Sequence, residues 1–595
     1  MSLNHDLSNL FGTMAALMEI KGESVFKAIA FSKVGRLLND MAFDIRKCYE
    51  DGKLCDLEGV GPASQRIIEE YIKTGRSTDY EELSESVPAG LIPLLGIPSL
   101  GPKTIGLLWR ERNVTTMEDL VKLLDSGGMK GLKGIGEKKI EAIKAGIAMR
   151  SQAAGRRGII EALPLGEAVR EALAANKHVK RIEVAGSLRR RRETIGDVDL
   201  VCAVDDMKNT PAVAAEFQKL PEVQKVLASG PAKVSVIAAG GVQVDLRMVP
   251  VDRFGSALMY FTGSKEHNVK IRGRAQDMGF TLNEWGLFKL AEWEKSEAEK
   301  KRTPGEVPPV KPVASAAEAD IYKKLGLAYV EPEMRENRGE VEAAVAGKLP
   351  KLIELADIRG DLHSHTTASD GVATIEQMAE AAAAKGYQFI AITDHSKSQA
   401  IASGLSVERL LKHAAAIRKV NDRMKGTIRL LAGSEVDILA DGTLDYDEAV
   451  LAELDWVVAS PHFALQQDET KATDRLLRAV ESRYVNIIGH PTGRLIDRRP
   501  GLPVRFEPVF KAAAANGTAL EINASYPRLD LNEVNARAAI ESGVMLSINT
   551  DAHSQVEFEL MEYGINVARR AWATKRHVIN CMTWDELKKF IARKR

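Results

Sequence analysis

Two aspartates spaced two apart, Asp197 and Asp199, follow by ten residues the segment Gly186-Ser187-Leu188-Arg189-Arg190, with Gly196 directly before them. On a strand, an i, i+2 pair points to one face. Asp245, in the run VQVDLRM, can add a third carboxylate from a neighbouring strand. Three carboxylates suit hard divalent cations such as Mg²⁺ or Mn²⁺. A pair of such cations can lower the pKa of a primer hydroxyl and stabilise charge on an α-phosphate and its leaving pyrophosphate. The Gly186-Ser187 turn would then cradle a triphosphate, and Arg190 would neutralise it.

A second chemistry is written further on. Of 11 histidines, six lie between 363 and 553 in short motifs with acidic companions: Asp361-Leu362-His363-Ser364-His365, Ser369-Asp370-Gly371, Thr393-Asp394-His395, Gly433-Ser434-Glu435, Ser460-Pro461-His462, Gly489-His490-Pro491 and Asn549-Thr550-Asp551-Ala552-His553. Neutral imidazole with carboxylate is the donor set of zinc, manganese and iron. A lone histidine of this kind is usually a buried, hydrogen-bonded residue. Nine such candidates, each at a strand end or in the loop after it, point instead to the active face of a β/α barrel.

The elements that must position these groups call for several domains, since 595 residues exceed one hydrophobic core. A 45% hydrophobic and 28% charged composition is that of ordinary soluble proteins. No run is long and apolar enough for a membrane span, and the opening twenty residues lack an export-signal layout, so a cytoplasmic protein without membrane association is expected. The four cysteines show no CxxC spacing, which argues against a disulfide framework or thiolate zinc site. Net charge is zero overall, yet residues 101–160 carry 12 Lys/Arg against 6 Asp/Glu, the electrostatic minimum for holding a phosphate backbone.

Residues 10–85 are expected to alternate short amphipathic helices with glycine turns. Three turns within the first 150 residues share one pattern: Leu57-Glu58-Gly59-Val60-Gly61, Ile97-Pro98-Ser99-Leu100-Gly101-Pro102-Lys103 and Leu132-Lys133-Gly134-Ile135-Gly136-Glu137-Lys138. Each opens a helical stretch, so backbone N–H groups there can face a phosphate. The pattern resembles the helix-hairpin-helix element, with Gly59, Val60, Gly61, Ser99, Gly101, Lys103, Gly134, Gly136 and Lys138 as the backbone-gripping set. A plain glycine cap explains one such turn but not three with lysines nearby. From 180 to 250, the runs RIEVAG, VDLVCAV, KVSVIAA and VQVDLRMV indicate a sheet. Residues 295–315 are polar and proline-rich and read as an exposed loop. Beyond 356, apolar runs ending in ionisable residues alternate with alanine-rich helices, a repeated β-α pattern.

GSxxR with DxD also occurs in nucleotidyltransferases that act on RNA ends or antibiotics, so it sets the reaction before the substrate. The stretch Tyr260-Phe261-Thr262-Gly263-Ser264, with Asn268, Arg272 and GFTLNE at 279–284, narrows it. Residues 1–336 closely resemble the family X DNA polymerases. That resemblance implies that Asp197, Asp199 and Asp245 bind the metals and that Gly186, Ser187, Arg190 and Gly196 hold the phosphates. It implies that Tyr260, Phe261, Gly263 and Asn268 lie along the incoming sugar and base, and Arg272 near the template. Core packing is the competing reading of Tyr260 and Phe261. One departure stands out: the family's Schiff-base lysine aligns with Ile67 and a 5′-phosphate-binding lysine with Ala63. An isoleucine forms no imine, which argues against 5′-deoxyribose-phosphate lyase activity, and Arg66 replaces only charge.

Residues 356–580 resemble the polymerase-and-histidinol-phosphatase (PHP) domain, a distorted seven-stranded barrel with three metals, Zn²⁺, Mn²⁺ or both. By that likeness His363, His365, Glu435 and Asp551 hold the first metal. Glu435 bridges to a second on His462 and His490, and Asp370, His395 and His553 hold the third. Arg494, after the His490 loop, is a candidate for a substrate phosphate or an ordinary surface arginine.

The expected layout is therefore a helix-hairpin-helix domain at 1–85, a second such subdomain at 86–155, an α+β palm at 156–255, a thumb at 256–336, a linker at 337–355, the barrel at 356–580 and a tail at 581–595. The expected activity is short-gap filling with deoxynucleoside triphosphates on gapped or nicked DNA by a monomer, coupled to 3′–5′ exonuclease or 3′-end cleaning. The rivals are a metal-dependent nuclease whose N-terminal half only binds DNA ends, and a scaffold with structural metals.

Overall fold

A computed structural model describes residues 3–593 apart from 41–44, 51, 58, 98–99, 130–131, 133–134, 138, 145–146, 148–155 and 300–306. The chain divides into two compact units, one of Met1–Ala154 with Asp370–Thr374 and Arg494–Gly501, the other of the remainder. No described helix is long and apolar enough to cross a membrane.

The described part of Met1–Ala154 is helical. Its opening helices, Leu3–Lys21 and Val25–Asp40, are longer than the short alternation expected there. They approach closely at Gly35, whose added Cβ would lie 3.1 Å from the Ser8 carbonyl. A single apolar core runs from Leu7 and Phe11 through Ile67, Leu94 and Leu108 to Ile143, so no core boundary separates 1–85 from 86–155.

In the second unit, after the helix Ile159–Ala174, a palm sheet has five strands: β1 (Val179–Val184), β2 (Asp197–Val204), β3 (Val223–Ser229), β4 (Lys233–Ala238) and β5 (Gln243–Pro250), in the order β1-β2-β5-β4-β3. Only β2 and β5 run parallel. The expected runs form strands, and β3 joins them although most of its residues are exposed. The thumb follows with helices Phe254–Thr262 and Lys265–Asp277 and the hairpin β6 (Phe280–Asn283) and β7 (Gly286–Lys289).

Two stretches depart from expectation because their apolar residues find partners. In 295–315, Leu290–Glu299 is helical, and residues 313–314 join the hairpin edge: Val313 N donates to the Leu287 carbonyl, and Leu287 N to that of Ala314. The region 337–355, expected as a linker, holds the helix Glu340–Val345. Val341 and Ala344 bury into the thumb core beside Ile271 and Leu325. Glu340 is fully buried and accepts from His267 Nδ1 at 2.7 Å.

Seven parallel strands then follow in sequential order: β8 (Gly360–Asp361), β9 (Phe389–Ile392), β10 (Arg429–Asp437), β11 (Trp456–Ser460), β12 (Ile487–Ile488), β13 (Ala519–Asn523) and β14 (Leu546–Asn549). The two ends of this nearly closed barrel meet where Ser364 bridges Ala552 and His365 N donates to the Ala552 carbonyl at 2.8 Å. The segment expected as a tail is part of the fold. Helix Trp584–Ala592 sends Leu587 and Phe590 into the core formed by Leu362, Phe389, Trp456, Ile487 and Ala519, each burial contributing roughly 1.5–3 kcal/mol.

Candidate active sites

In the palm, β2 pairs with β5 so that Asp199 stands opposite Asp245 and Asp197 opposite Gln243. The i, i+2 rule and this register put all three carboxylates on one face. Asp245 is buried, with Lys233 Nζ 2.6 Å from Oδ2 and Gln243 Nε2 donating to Oδ1 at 3.0 Å. Burial alone would raise its pKa, but hydrogen bonds from Lys233, Ser235 and Gln243 hold it below the usual carboxylate range. Asp199 goes the other way. Burial first, then repulsion from Asp197 and Asp245, pushes it up to about 7. Such clustered anions favour positive charge brought among them.

Gly186 makes the approach to Asp199 possible. It has φ +59°, and an added Cβ would sit 2.6 Å from Asp199 Oδ2, so a left-handed turn without a side chain is required. Ala185 N donates to the Asp199 carbonyl at 2.7 Å. Ser187 is half-buried in the next position, and Gly196 directly precedes β2. Arg190 donates through Nε to Glu336 Oε1 at 3.1 Å and through Nη1 to the Thr262 carbonyl. Its neighbour Arg189 grips Glu318 with two bonds of 2.9 and 2.7 Å, and Arg335 adds a third at 2.6 Å. Burial would raise Glu318, but these arginines bring it down to about 2.

The predicted nucleotide contacts separate by environment. Tyr260 is exposed and meets Phe261 edge-on at 5.1 Å. Phe261 lies under the Arg247 guanidinium at 4.0 Å and packs against the Phe254 and Leu258 core, so core packing describes Phe261 better than Tyr260. Asn268 Nδ2 donates to the Tyr260 carbonyl at 2.7 Å. Gly263, at φ +68°, lies against Arg190, and Arg272 is exposed on the Lys265–Asp277 helix.

In the first unit the three glycine turns share one hydrogen-bond scheme. Val60 N donates to Leu57, Leu100 N to Ile97 and Ile135 N to Leu132, at 3.0, 3.1 and 3.1 Å. Each central apolar side chain is buried. Helices start at Gly61 and Gly101, and Ile140 N closes a helical bond onto Gly136. Gly59, Gly101, Lys103 and Gly136 are exposed. Ser99, Gly134 and Lys138 lie outside the described residues. Ile67 is buried, and Arg66 is bound by both oxygens of Asp79 at 2.8 Å.

The barrel collects its imidazoles around Glu435. His490 Nε2 lies 2.9 Å and His462 Nε2 3.3 Å from Oε1, and His395 Nδ1 lies 2.8 Å from Oε2. His363 Nε2 lies 3.4 Å from Glu435 Oε1 and 3.5 Å from Asp551 Oδ1, and His365 Nε2 meets that Asp551 oxygen at 3.0 Å. Two triads, His363/His365/Asp551 and His395/Glu435/His462, each bring three donor atoms within 4.8 Å of one another. His553 stacks on His365 at 4.2 Å, and the His365 and His395 rings are 4.4 Å apart. Asp370 lies on the short segment that divides with the first unit. Glu435 sits two residues inside β10 rather than at its end.

These donors fit metal ions. Buried His363 Nε2 and His490 Nδ1 have no hydrogen-bond partner among the described residues. Leaving such atoms unsatisfied in a dry core is costly, and a cation accepts their lone pairs. Electrostatics agree: although burial would raise Glu435 and Asp551, the surrounding histidines hold both well below the usual carboxylate range. His490, desolvated and near Arg528, is lowered to about 4 and so stays neutral at neutral pH, the state in which an imidazole can ligate.

A supporting shell escaped the sequence reading. Glu521 accepts from His363 Nδ1 at 2.8 Å and from His490 N at 2.6 Å, and Asp437 holds His462 Nδ1 at 2.6 Å. Glu521 stands alone as an acid in the apolar run TALEINA, a signal that would have found it. Lys233 carried no such mark.

Three family models match in chain order: a helix-hairpin-helix domain over residues 2–77, the DNA polymerase beta thumb over 257–336 and the PHP domain over 361–525. The barrel half is similar to a probable phosphatase of Thermoanaerobacter sp. strain X514, 32% identical over 37% of this chain and 89% of that one. It is likewise similar to a probable phosphatase of Caldanaerobacter subterraneus, 29% identical over 40% and 91%. The whole chain is 38% identical over 590 residues, 99% of each chain, to the DNA polymerase/3′-5′ exonuclease PolX of Bacillus subtilis strain 168. With a palm carboxylate cluster and a histidine-rich barrel joined in one polypeptide, the chain belongs to the PolX family, the family X DNA polymerases that carry a PHP domain.

Proposed function

We propose that this protein is a template-directed DNA polymerase that fills short gaps, and that its barrel is a metal-dependent phosphoesterase that trims or cleans 3′ ends. The observation that carries the first half is the register of Asp199 opposite Asp245 with Asp197 two residues away. The relative's name, DNA polymerase/3′-5′ exonuclease, supports the pairing of activities.

Asp197, Asp199 and Asp245 would hold Mg²⁺ or Mn²⁺. When bound, such ions activate the primer 3′-hydroxyl and neutralise the triphosphate. Gly186, Ser187, Arg190 and Gly196 hold the phosphates, Tyr260, Phe261, Gly263 and Asn268 line the sugar and base, and Arg272 meets the template. The glycine turns around Gly59-Val60-Gly61, Ser99-Leu100-Gly101 with Lys103, and Gly134-Ile135-Gly136 with Lys138 grip the DNA backbone without reading sequence. With Ile67 buried and Arg66 committed to Asp79, the first unit supports binding rather than lyase chemistry.

In the barrel, His363, His365, Glu435 and Asp551 form one ligand group. Glu435 with His462 and His490 would make up a second group, and Asp370, His395 and His553 a third. These residues would hold Zn²⁺ or Mn²⁺, which would supply Lewis-acid activation of water and of a substrate phosphate. Glu521 and Asp437 orient the imidazoles. The protein is read as a cytoplasmic monomer acting on gapped or nicked DNA, away from membranes.

The test is separable loss in the full chain. Asp197→Ala with Asp199→Ala abolishes primer extension on gapped DNA and spares hydrolysis, and His363→Ala with His365→Ala does the reverse. Extension absent from the unmodified protein with either Mg²⁺ or Mn²⁺ would leave a nuclease with a DNA-end-binding module.

A further inference from the structure

We infer that Arg570, carried by the barrel half, is a positioning residue for the polymerase half: it fixes Arg190 by holding both the Arg190 carbonyl and the carboxylate that Arg190 itself grips. The inference rests on the reading of Arg190 as a triphosphate contact.

Arg570 ends the helix Met561–Arg570 and is 4% exposed. Its Nη1 donates to the Arg190 carbonyl at 2.7 Å and to Glu336 Oε1 at 3.0 Å, and its Nη2 to Glu533 Oε1 at 3.0 Å. Arg190 Nε uses the same Glu336 oxygen at 3.1 Å. One carboxylate oxygen at the end of the thumb therefore ties an arginine of the palm to an arginine of the barrel. The preceding residue strengthens the tie, since Arg569 Nε donates to Glu333 at 2.7 Å and its Nη1 to the Ile353 carbonyl at 2.9 Å.

The guanidinium of Arg190 is consequently held on two sides, by Glu336 through Nε and by the Thr262 carbonyl through Nη1. Its Nη2 makes no hydrogen bond among the described residues. A planar fork with two nitrogens engaged presents the third in a fixed direction, so less orientational freedom is lost when an anion arrives. Without Arg570, the turn that carries Arg190 loses an anchor. Among the described residues Glu336 then keeps Arg190 and Arg192, the latter at 3.4 Å, and, no longer anchored from the barrel, holds the Arg190 guanidinium less firmly. Both effects weaken nucleotide binding and leave the barrel's donor cluster untouched.

The experiment measures single-nucleotide incorporation on a gapped duplex by full-length Arg570→Gln, Arg570→Lys and Glu336→Gln proteins, with phosphodiester hydrolysis followed in the same preparations. The expected result is a KM for the deoxynucleoside triphosphate raised at least about fivefold with kcat changed less than about twofold. Lysine recovers part of the effect, and hydrolysis is unchanged. The double variant Arg570→Gln/Glu336→Gln is no worse than the poorer single, since the two residues act through one contact. If Arg570→Gln does not fold, Glu336→Gln decides, because it keeps the shape of the side chain. An unchanged KM in folded variants, or polymerisation and hydrolysis falling together, overturns the inference. Arg190→Ala separates the two failures. If it leaves KM unmoved, the reading of Arg190 itself fails. If it raises KM while the Arg570 and Glu336 variants do not, only the coupling fails.

Discussion

Asp199 faces Asp245 across two parallel strands, the first pushed up to about 7 by burial and repulsion and the second held below the usual range by Lys233, Ser235 and Gln243. The two carboxylates of the proposed cation site are balanced differently. Gly186 presses directly against the less settled half.

Gly186→Ala is expected to lower nucleotide incorporation by about 10²-fold, because its methyl group would lie 2.6 Å from Asp199 Oδ2 and φ +59° disfavours any side chain. Hydrolysis by the barrel stays at its original rate. Parallel kinetics of the two activities check this, and an alanine variant that extends primers normally would contradict the proposed closeness of turn and carboxylate.

Glu435 and Glu521 stand at different distances from the proposed metal centre: Glu435 among its candidate donors, Glu521 behind His363. Glu435→Ala removes the oxygens on which His363, His395, His462 and His490 converge, so bound metal is lost and hydrolysis falls at least about 10²-fold. Glu521→Gln frees His363 Nδ1 from its carboxylate, for which weakening of metal affinity by about 10- to 100-fold is expected. Elemental analysis and metal titration distinguish the two outcomes.

Glu318 contributes stability that depends on pH. Its folded value of about 2 lies below the ordinary 4.5, so the contribution is full above pH 4.5 and disappears as pH falls towards 2. The difference corresponds to about 3 kcal/mol. Glu318→Gln should therefore lower stability at pH 7 and narrow the gap from the parent protein as pH drops through that window. Denaturant melts at pH 7 and pH 3 measure it, and a gap that widens in acid would refute the assignment.

The closing helix is part of the barrel. Leu587→Ala and Phe590→Ala should each destabilise the second unit by about 2–5 kcal/mol, because both side chains fill the core beside Trp456 and Phe389. Thermal denaturation checks the size, and changes within about 0.5 kcal/mol would mean that the helix is dispensable.

Much of the architecture was legible because chemistry and periodicity coincide in this chain. The DxD pair had to lie on a strand to share a face, and the histidine motifs recur with the β-α period, so palm and barrel could be read directly. The stretch around Glu340–Val345 misled because its composition is that of a spacer. Its helix depends on Val341 and Ala344 meeting a thumb core that is distant in sequence. Segment 581–595 misled for the same reason, since Leu587 and Phe590 are ordinary amphipathic positions until a barrel end needs closing. Glu521 was overlooked although an isolated acid in an apolar strand was visible. Lys233 and Asp437 had no local signal, because their partners, Asp245 and His462, come from other strands and loops.

Residue types and spacing alone identified which groups this protein brings to its chemistry: three aspartates in strand context, a GSxxR turn, repeated glycine turns and nine histidine or acidic candidates within a β-α repeat. Residue type and spacing are local, and local rules are enough to read them. It took the folded chain to show that Asp199 meets Asp245 in register, that five described imidazoles converge on Glu435 and that Arg570 reaches Arg190. Those relations join residues from 27 to 380 positions apart, and strand register and helix packing create them only when the whole unit has folded.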